Sequence, residues 1–435
     1  MGQSISLSKK CSSSSSYLIL YRRLRRTVLN HLGIVLWNVF GYRKDISWEC
    51  ILRESGRNEN DLPPATLKLF KCLSNSWNED PLLTLSGRIL LKNYYCDILN
   101  TRERIKEVYS INKEYIEKNN QIRKPLFIVG WPRVGSTFMH KLLSCDPQCK
   151  GPPLWQLVNP VPSNFDNIKK EDEIRNTQLL MDYYFDLEPE LYMLHEMNAE
   201  NADECCHLFE QNWVDRHSVI ISENMSSYLE LLNNLTLEEQ IEIYQFYKET
   251  LQVMMFLNKD SPISHHILKD ATHYMFIEGL LAVFPDANIL LMNRKPSSVA
   301  KSCLSGIGLV GRYYYDRKTI SNFTYSSHLA NRTLSWMELS QERGNLYLPK
   351  NNTITGKKIS QKTIQFEEFI KDPISTVKEI YDYFGYEYSL EFEENMKQFI
   401  NNYNSFRKSK PTFIHTTEPF GLNEKDIDNM FTKIK

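Results

Sequence analysis

The chain has 435 residues, 42% of them hydrophobic, enough to bury a sizeable core in one large domain with additions or in two. Its 52 Lys and Arg against 53 Asp and Glu leave a net charge of −1, which argues against a nucleic-acid binder with its usual basic excess. Nine scattered cysteines, an odd number, fit free thiols in a reducing compartment rather than a disulfide framework.

Taken in chain order, residues 1–16 read as a disordered tail ending in a run of serines. Met1-Gly2-Gln3-Ser4-Ile5-Ser6 fits the N-myristoylation pattern M-G-x-x-x-[ST], and Cys11 suits a palmitoyl group. Arg22, Arg23, Arg25 and Arg26 form a basic cluster. One acyl chain plus a polybasic patch is the two-signal arrangement for holding a membrane surface. The expected location is therefore the cytoplasm, with association on the cytosolic face of a membrane through Gly2 and the basic cluster; the Golgi lumen is the less favoured place. The apolar stretch from Leu29 to Phe40 contains Asn30, His31 and Asn38 and is too short to span a bilayer.

Residues 17–120 read as mainly helical, an N-terminal helical region covering one end of a sheet. Within it, Arg102 to Asn119 is charged, with apolar residues at Ile105, Val108, Tyr109, Ile111 and Ile116. From 121 to 425 the pattern is that of one α/β domain. Apolar runs of strand length alternate with helical patterns, which predicts a three-layer fold around a central parallel sheet.

Pro125 to Val129 reads as a buried strand, Gly130 to Gly135 as a tight loop, and Ser136 onward as a helix. Strand, Gly-bounded loop and helix N-terminus make an anion cradle, because free backbone N–H groups and the helix dipole point at a bound phosphate. The spacing Gly130-x-x-x-x-Gly135-Ser136-Thr137 is P-loop-like. Ser136, however, stands where a Lys would reach the β/γ-phosphates, and the loop carries its cation at Arg133. Such a loop suits an anion other than a nucleoside triphosphate. A P-loop nucleotide kinase is an alternative on the same fold.

Further on, His195-Glu196, Asp203-Glu204 and His207 form an acid–base cluster, with Glu204 and His207 at i, i+3 on one helix face. Residues 236–258 read as an amphipathic helix whose aromatic and Met residues are core. Ile267 and Leu268 end another strand, with Lys269 at its tip and a helix expected over 273–284. Ala287 to Met292 is a further strand; Arg294 follows it, Pro296 suits a first helical turn, and Ser302 lies in the next helix. Ligands of open parallel sheets bind at the carboxyl ends of the strands, so Arg294 and Ser302 are expected in the same crevice as the Gly130–Gly135 loop. Thr363 to Phe366 reads as a strand, and Pro373 to Phe384 as a helix begun by Asp372-Pro373 and ended by Gly385. The chain has no HExxH or clustered CxxC, and adjacent Cys205-Cys206 lack metal spacing, so no metal is expected.

Together these segments resemble the sulfotransferases that use 3′-phosphoadenosine 5′-phosphosulfate. Pro132, Arg133, Gly135, Ser136 and Thr137 resemble the family's PRSGTT or PKSGTT loop, with Val134 and Ser136 as the departures. Arg294-Lys295-Pro296-Ser297-Ser298-Val299-Ala300-Lys301-Ser302 resembles its RxPxxVxxS motif, with Lys295 in place of an acidic residue. The resemblance runs from about 125 to 422. It implies that Arg133, Val134, Gly135, Ser136, Thr137 and Phe138 hold the donor's 5′ end, and that Arg294 and Ser302 hold its 3′ phosphate. Ser405-Phe406-Arg407-Lys408-Ser409 resembles the FxRKG loop that closes on that phosphate, with Ser409 in place of the Gly. A Lys-x-His in the family, matched here in position but with two extra residues between the pair, suggests Lys269 for the leaving phosphate and His273 for the base; a similar H…EEC pattern offers Glu204 as the other base. Gln156 stands in PPLWQL where similar chains often have WEL. The implied reaction moves a sulfuryl group from the donor to an acceptor hydroxyl or amine, without a metal. The acceptor is unspecified: carbohydrate, lipid, small phenol and protein tyrosine all fit. Val134, Gln156 and Ser409 leave open a non-catalytic, membrane-associated scaffold that keeps only the fold.

Overall fold

The computed structural model describes residues 13–194, 197–259, 263–320, 323–348, 353–354, 357–409 and 422–432. Short strands build its sheet, apolar at the centre and polar at the two outer strands. The strands are β1 (Leu126–Val129), β2 (Cys149–Lys150), β3 (His265–Lys269), β4 (Asn288–Asn293) and β5 (Ser360–Gln365). They form one five-stranded sheet in the order β2-β3-β1-β4-β5, and every pairing is parallel. β1 and β3 are buried along their whole length, as strands covered on both faces must be. Ile128 sits between Lys269 and Leu290 in register.

This topology positions the site. The first strand is central, β2 and β3 lie to one side of it, and β4 and β5 to the other. The loop after β1 therefore stands where the chain's path divides, the place at which open α/β sheets bind ligands. Parallel pairing also brings Gly130, Asp270, Arg294 and Phe366, each just past a strand, to one edge.

Helices surround the sheet. The first is α1 (Ser13–Phe40), followed by Trp48–Ser55, Pro64–Glu79, Leu85–Ile111 and Lys113–Asn119. After β1 comes α2 (Ser136–Leu143). Between β2 and β3 lie α3 (Cys206–Glu210), α4 (Arg216–Ile221) and α5 (Leu237–Asn258). α6 (Pro296–Gly311) follows β4, and α7 (Glu424–Thr432) lies near the C-terminus. The N-terminal helices are tied to the rest by buried polar contacts. Thr66 donates its backbone N–H to Glu242 of α5 at 3.0 Å, and Arg102 donates to Gln211 O at 2.6 Å.

Local chemistry explains the helix limits. Thr236 and Glu239 form a capping box that starts α5, which buries Tyr244, Tyr247 and Met254. Asp372 accepts from Ser375 N and Gly385 adopts φ 71°, so the helix Pro373–Phe384 has the limits its sequence predicts.

Four expectations change. α1 begins at Ser13, inside the serine run read as tail. β5 starts at Ser360 and stops before Phe366; it is the last strand of the sheet, so its polar residues stay partly exposed and only Ile364 is buried. The helix expected over 273–284 is broken at Phe276 into Thr272–Met275 and Ile277–Val283. The basic cluster is largely spent inside the molecule. Arg22 pairs with Asp186, Arg23 donates to Asp186 O at 3.0 Å, and Arg26 reaches Glu188 at 3.4 Å. Gly2 and Cys11 lie outside the described residues. Among the described residues no helix is long and apolar enough to cross a membrane.

Candidate active site

The loop after β1 needs glycine at both ends. Gly130 has φ 130°, and a Cβ there would stand 2.4 Å from Met292 O. Gly135 has φ 87°, and a Cβ there would stand 2.5 Å from the Phe366 ring. Arg133 between them also adopts positive φ, 68°, a conformation that costs a non-glycine residue on the order of 1 kcal/mol or more. Gly135 caps α2 with no side chain, so the first N–H groups of α2, at Ser136 and Thr137, have no capping acceptor from it. Val134 is fully buried and gives the loop only its backbone. Phe138 does the same, because its ring packs on Tyr403 and Phe369 at centroid distances of 4.9 and 5.4 Å.

The segment after β4 clasps this loop. Arg294 donates from a terminal nitrogen to Arg133 O at 3.0 Å, and its guanidinium lies 4.2 Å above the Phe366 ring. Its Nε is buried with no hydrogen-bond partner. Burial pulls the Arg294 pKa below its ordinary value. Ser302, buried in α6, accepts from Arg133 Nε at 2.9 Å. The two sequence segments thus meet through Arg133. On the far side of α6, Asp428 of α7 accepts from Ser297 N at 3.0 Å and pairs with Lys295 at 3.1 Å.

A charged chain runs from the loop into the protein. Lys269 at the tip of β3 donates to Thr137 Oγ1 at 3.1 Å and to Glu204 Oε1 at 2.5 Å. Arg216 at the start of α4 donates to Glu204 Oε2 at 2.8 Å and to both oxygens of Asp270, at 3.0 and 2.9 Å. Burial opposes the Arg216 charge, but Asp270 and Glu204 outweigh it and hold the guanidinium protonated. The Lys269 and Asp270 side chains are 3% and 0% exposed, whereas that of Glu204 is 20% exposed. Glu204 is therefore the carboxylate of this group that meets solvent. It precedes α3, so it does not share a helix face with His207; His207 instead bonds Glu210 through Nδ1 at 2.9 Å.

His273 is not in the crevice. It is completely buried, its Nδ1 bonds the Tyr244 hydroxyl at 2.9 Å, and the rings of Phe127 and Phe209 pack against it. Burial drives its pKa down to about 3. A base that removes an acceptor proton must touch the acceptor, and His273 cannot. The Lys-x-His likeness fails because the helix over Thr272–Met275 turns the imidazole into the core. His195 and Glu196 lie outside the described residues, as does the side chain of Arg407. Gln156 is buried in Leu154–Val158.

The fold also gathers residues that spacing alone left apart. Cys206, His207 and Glu210, and Glu210 with Asp215 and His217, bring metal-capable atoms within 4.8 Å of one another. Burial opposes the Glu210 charge, but His207 outweighs it and holds the carboxyl at about 2. Asp215 accepts from His217 N at 2.9 Å and Ser218 N at 3.1 Å as the cap of α4.

A family profile described as the sulfotransferase family matches residues 125–390, more than half of the chain. The chain belongs to the sulfotransferase family. Its fold agrees. The sulfotransferase STF1 from Mycobacterium tuberculosis H37Rv superposes with a TM-score of 0.70 at 18% identity, over 90% of this chain and 100% of that one. Sulfotransferase STF9 from Mycobacterium avium also gives 0.70, at 17% identity, over 90% and 96%. No curated protein matches in sequence.

Three residues of this sulfotransferase's crevice carried no motif. Asp270 could have been found from its place directly after Lys269 at a strand end. Phe366 could have been found the same way, had β5 been ended correctly. Arg216 had no signal: a lone Arg after an Asp looks like any solvated helix start.

Proposed function

We propose that the protein transfers a sulfuryl group from 3′-phosphoadenosine 5′-phosphosulfate to an acceptor hydroxyl or amine. The observation that carries this reading is the clasp of Arg133, Ser302 and Arg294, beside the Lys269–Thr137 contact at the same sheet edge. A donor with separate 3′ and 5′ anions needs two anchoring sets held at fixed distance. The loop at 130–137 and the N-terminus of α2 suit the 5′ phosphosulfate, because the two glycines let the loop backbone pack tightly against Met292 and Phe366 and the first N–H groups of α2 have no capping acceptor from Gly135. Arg294, with its buried unpartnered Nε, and Ser302 suit the 3′ phosphate.

In this reading Lys269 and Thr137 face the bridging oxygen, where negative charge grows as the S–O bond breaks. Glu204 takes the acceptor proton as the acceptor oxygen or nitrogen bonds to sulfur. Protonation neutralises Glu204 and frees the charge of Lys269 for the departing phosphate. Arg216, anchored by Asp270, keeps Glu204 in place. The products are the sulfated acceptor and adenosine 3′,5′-bisphosphate. The test is release of that bisphosphate from the donor in the presence of carbohydrate, lipid, phenol and tyrosine-peptide acceptors. Acceptor-dependent release supports the assignment; transfer from ATP with none from the sulfated donor overturns it in favour of a kinase.

A further inference from the structure

We propose that the outward face of α1 seats the protein on an anionic lipid bilayer. At about 3.6 residues per turn, Tyr21, Leu24, Val28, Leu32, Val35 and Val39 fall on one stripe about 100° wide. All six are exposed, between 48% and 65%. The opposite face is the docked one. There Arg22 and Arg26 reach Asp186 and Glu188, and Asn30 accepts from Ser86 N at 3.0 Å. The docked contacts fix which way the apolar stripe points: away from the protein.

Two features select a lipid surface as the occupant. The first is charge. α1 carries no acidic residue, and the one of its arginines that is exposed, Arg25, borders the stripe together with exposed His31. An apolar stripe edged by cations matches acyl chains below anionic headgroups. The second is period. A pairing seam with a second copy repeats every 3.5 residues, and that register places His31 and Asn38 in the seam. The apolar residues follow 3.6 instead, which makes a straight stripe about 27 Å long between Tyr21 and Val39, suited to a plane. The acylation pattern at Gly2 would act from the same end of the chain, so the face and the acyl group are two separate signals.

The experiment uses the full chain, made without an acyltransferase so that only the helix face can bind. It is sedimented with phosphatidylcholine vesicles with and without phosphatidylserine, beside the double variant Val28→Glu, Val35→Glu. Both positions are exposed, and an unchanged melting temperature confirms that the variant is folded. The proposal expects binding to phosphatidylserine vesicles that falls about tenfold or more in the variant. Sedimentation that the variant leaves unchanged overturns it. So does wild-type protein that ignores vesicles, or that forms a dimer which the variant abolishes.

Discussion

Arg133 Nε donates to Ser302 Oγ at 2.9 Å, joining two segments that lie 169 residues apart in the chain. This contact brings the two motifs together at one place. Arg294 closes it from the other side by bonding Arg133 O at 3.0 Å. The left-handed backbone at Arg133 is what lets one residue serve both neighbours.

Glu204→Gln keeps the shape of the side chain and removes its ability to hold a proton as a carboxylate. Sulfuryl transfer should fall by about a hundredfold to ten-thousandfold. Binding of adenosine 3′,5′-bisphosphate, measured by calorimetry, should change little, because in this account Glu204 acts on the acceptor and not on the donor. Equal losses in transfer and in bisphosphate affinity would make Glu204 a scaffold of Lys269 and not the base.

His273 should matter for folding and not for chemistry. Its imidazole fills a site walled by Phe127, Phe209 and Tyr247 and bonds Tyr244. His273→Ala should therefore cost about 2–4 kcal/mol in urea unfolding, as cavity-forming core substitutions do. Transfer per folded molecule should persist. Unchanged stability with abolished transfer would restore His273 as the base.

Four buried histidines make stability depend on acid. Burial lowers His140 and His265 to about 4, and His266 and His273 to about 3. Unfolded chains take up those protons near pH 6.5, while the folded protein takes them up only at the lowered values. The unfolded state thus binds more protons in between, and stability falls as pH drops below about 6.5. Each histidine contributes up to about 1.4 kcal/mol per pH unit in that window. Urea midpoints at stepped pH between neutral and mildly acid check this, and His266→Gln should flatten the slope by about one proton. A flat profile would mean that these imidazoles are accessible to water.

Much of this was legible in the chain, for physical reasons. β1 and the Ile289–Met292 stretch of β4 are continuous apolar runs, which are hard to mistake, whereas β3 shows only Ile267 and Leu268 between two histidines and Lys269. Glycines at 130 and 135 announce a loop that only glycine can make. Arg294 and Ser302 were placed by the rule that parallel strands point their carboxyl ends together. β5 was misjudged at its start because an outer strand tolerates Ser360, Gln361 and Lys362. His273 misled because spacing along the chain carries no information on whether an imidazole points at solvent or core. Arg22, Arg23 and Arg26 misled in the same way, since a basic cluster reads identically whether it faces outward or meets Asp186 and Glu188. Arg216 was invisible because its partners, Glu204 and Asp270, come from separate segments.

The most direct measurement is calorimetric binding of adenosine 3′,5′-bisphosphate, against AMP and ATP, to wild type and to Arg294→Ala. The account predicts binding that depends on the 3′ phosphate, exceeds that of both other nucleotides, and collapses in the variant. Tighter binding of ATP, or bisphosphate binding that ignores Arg294, would contradict it.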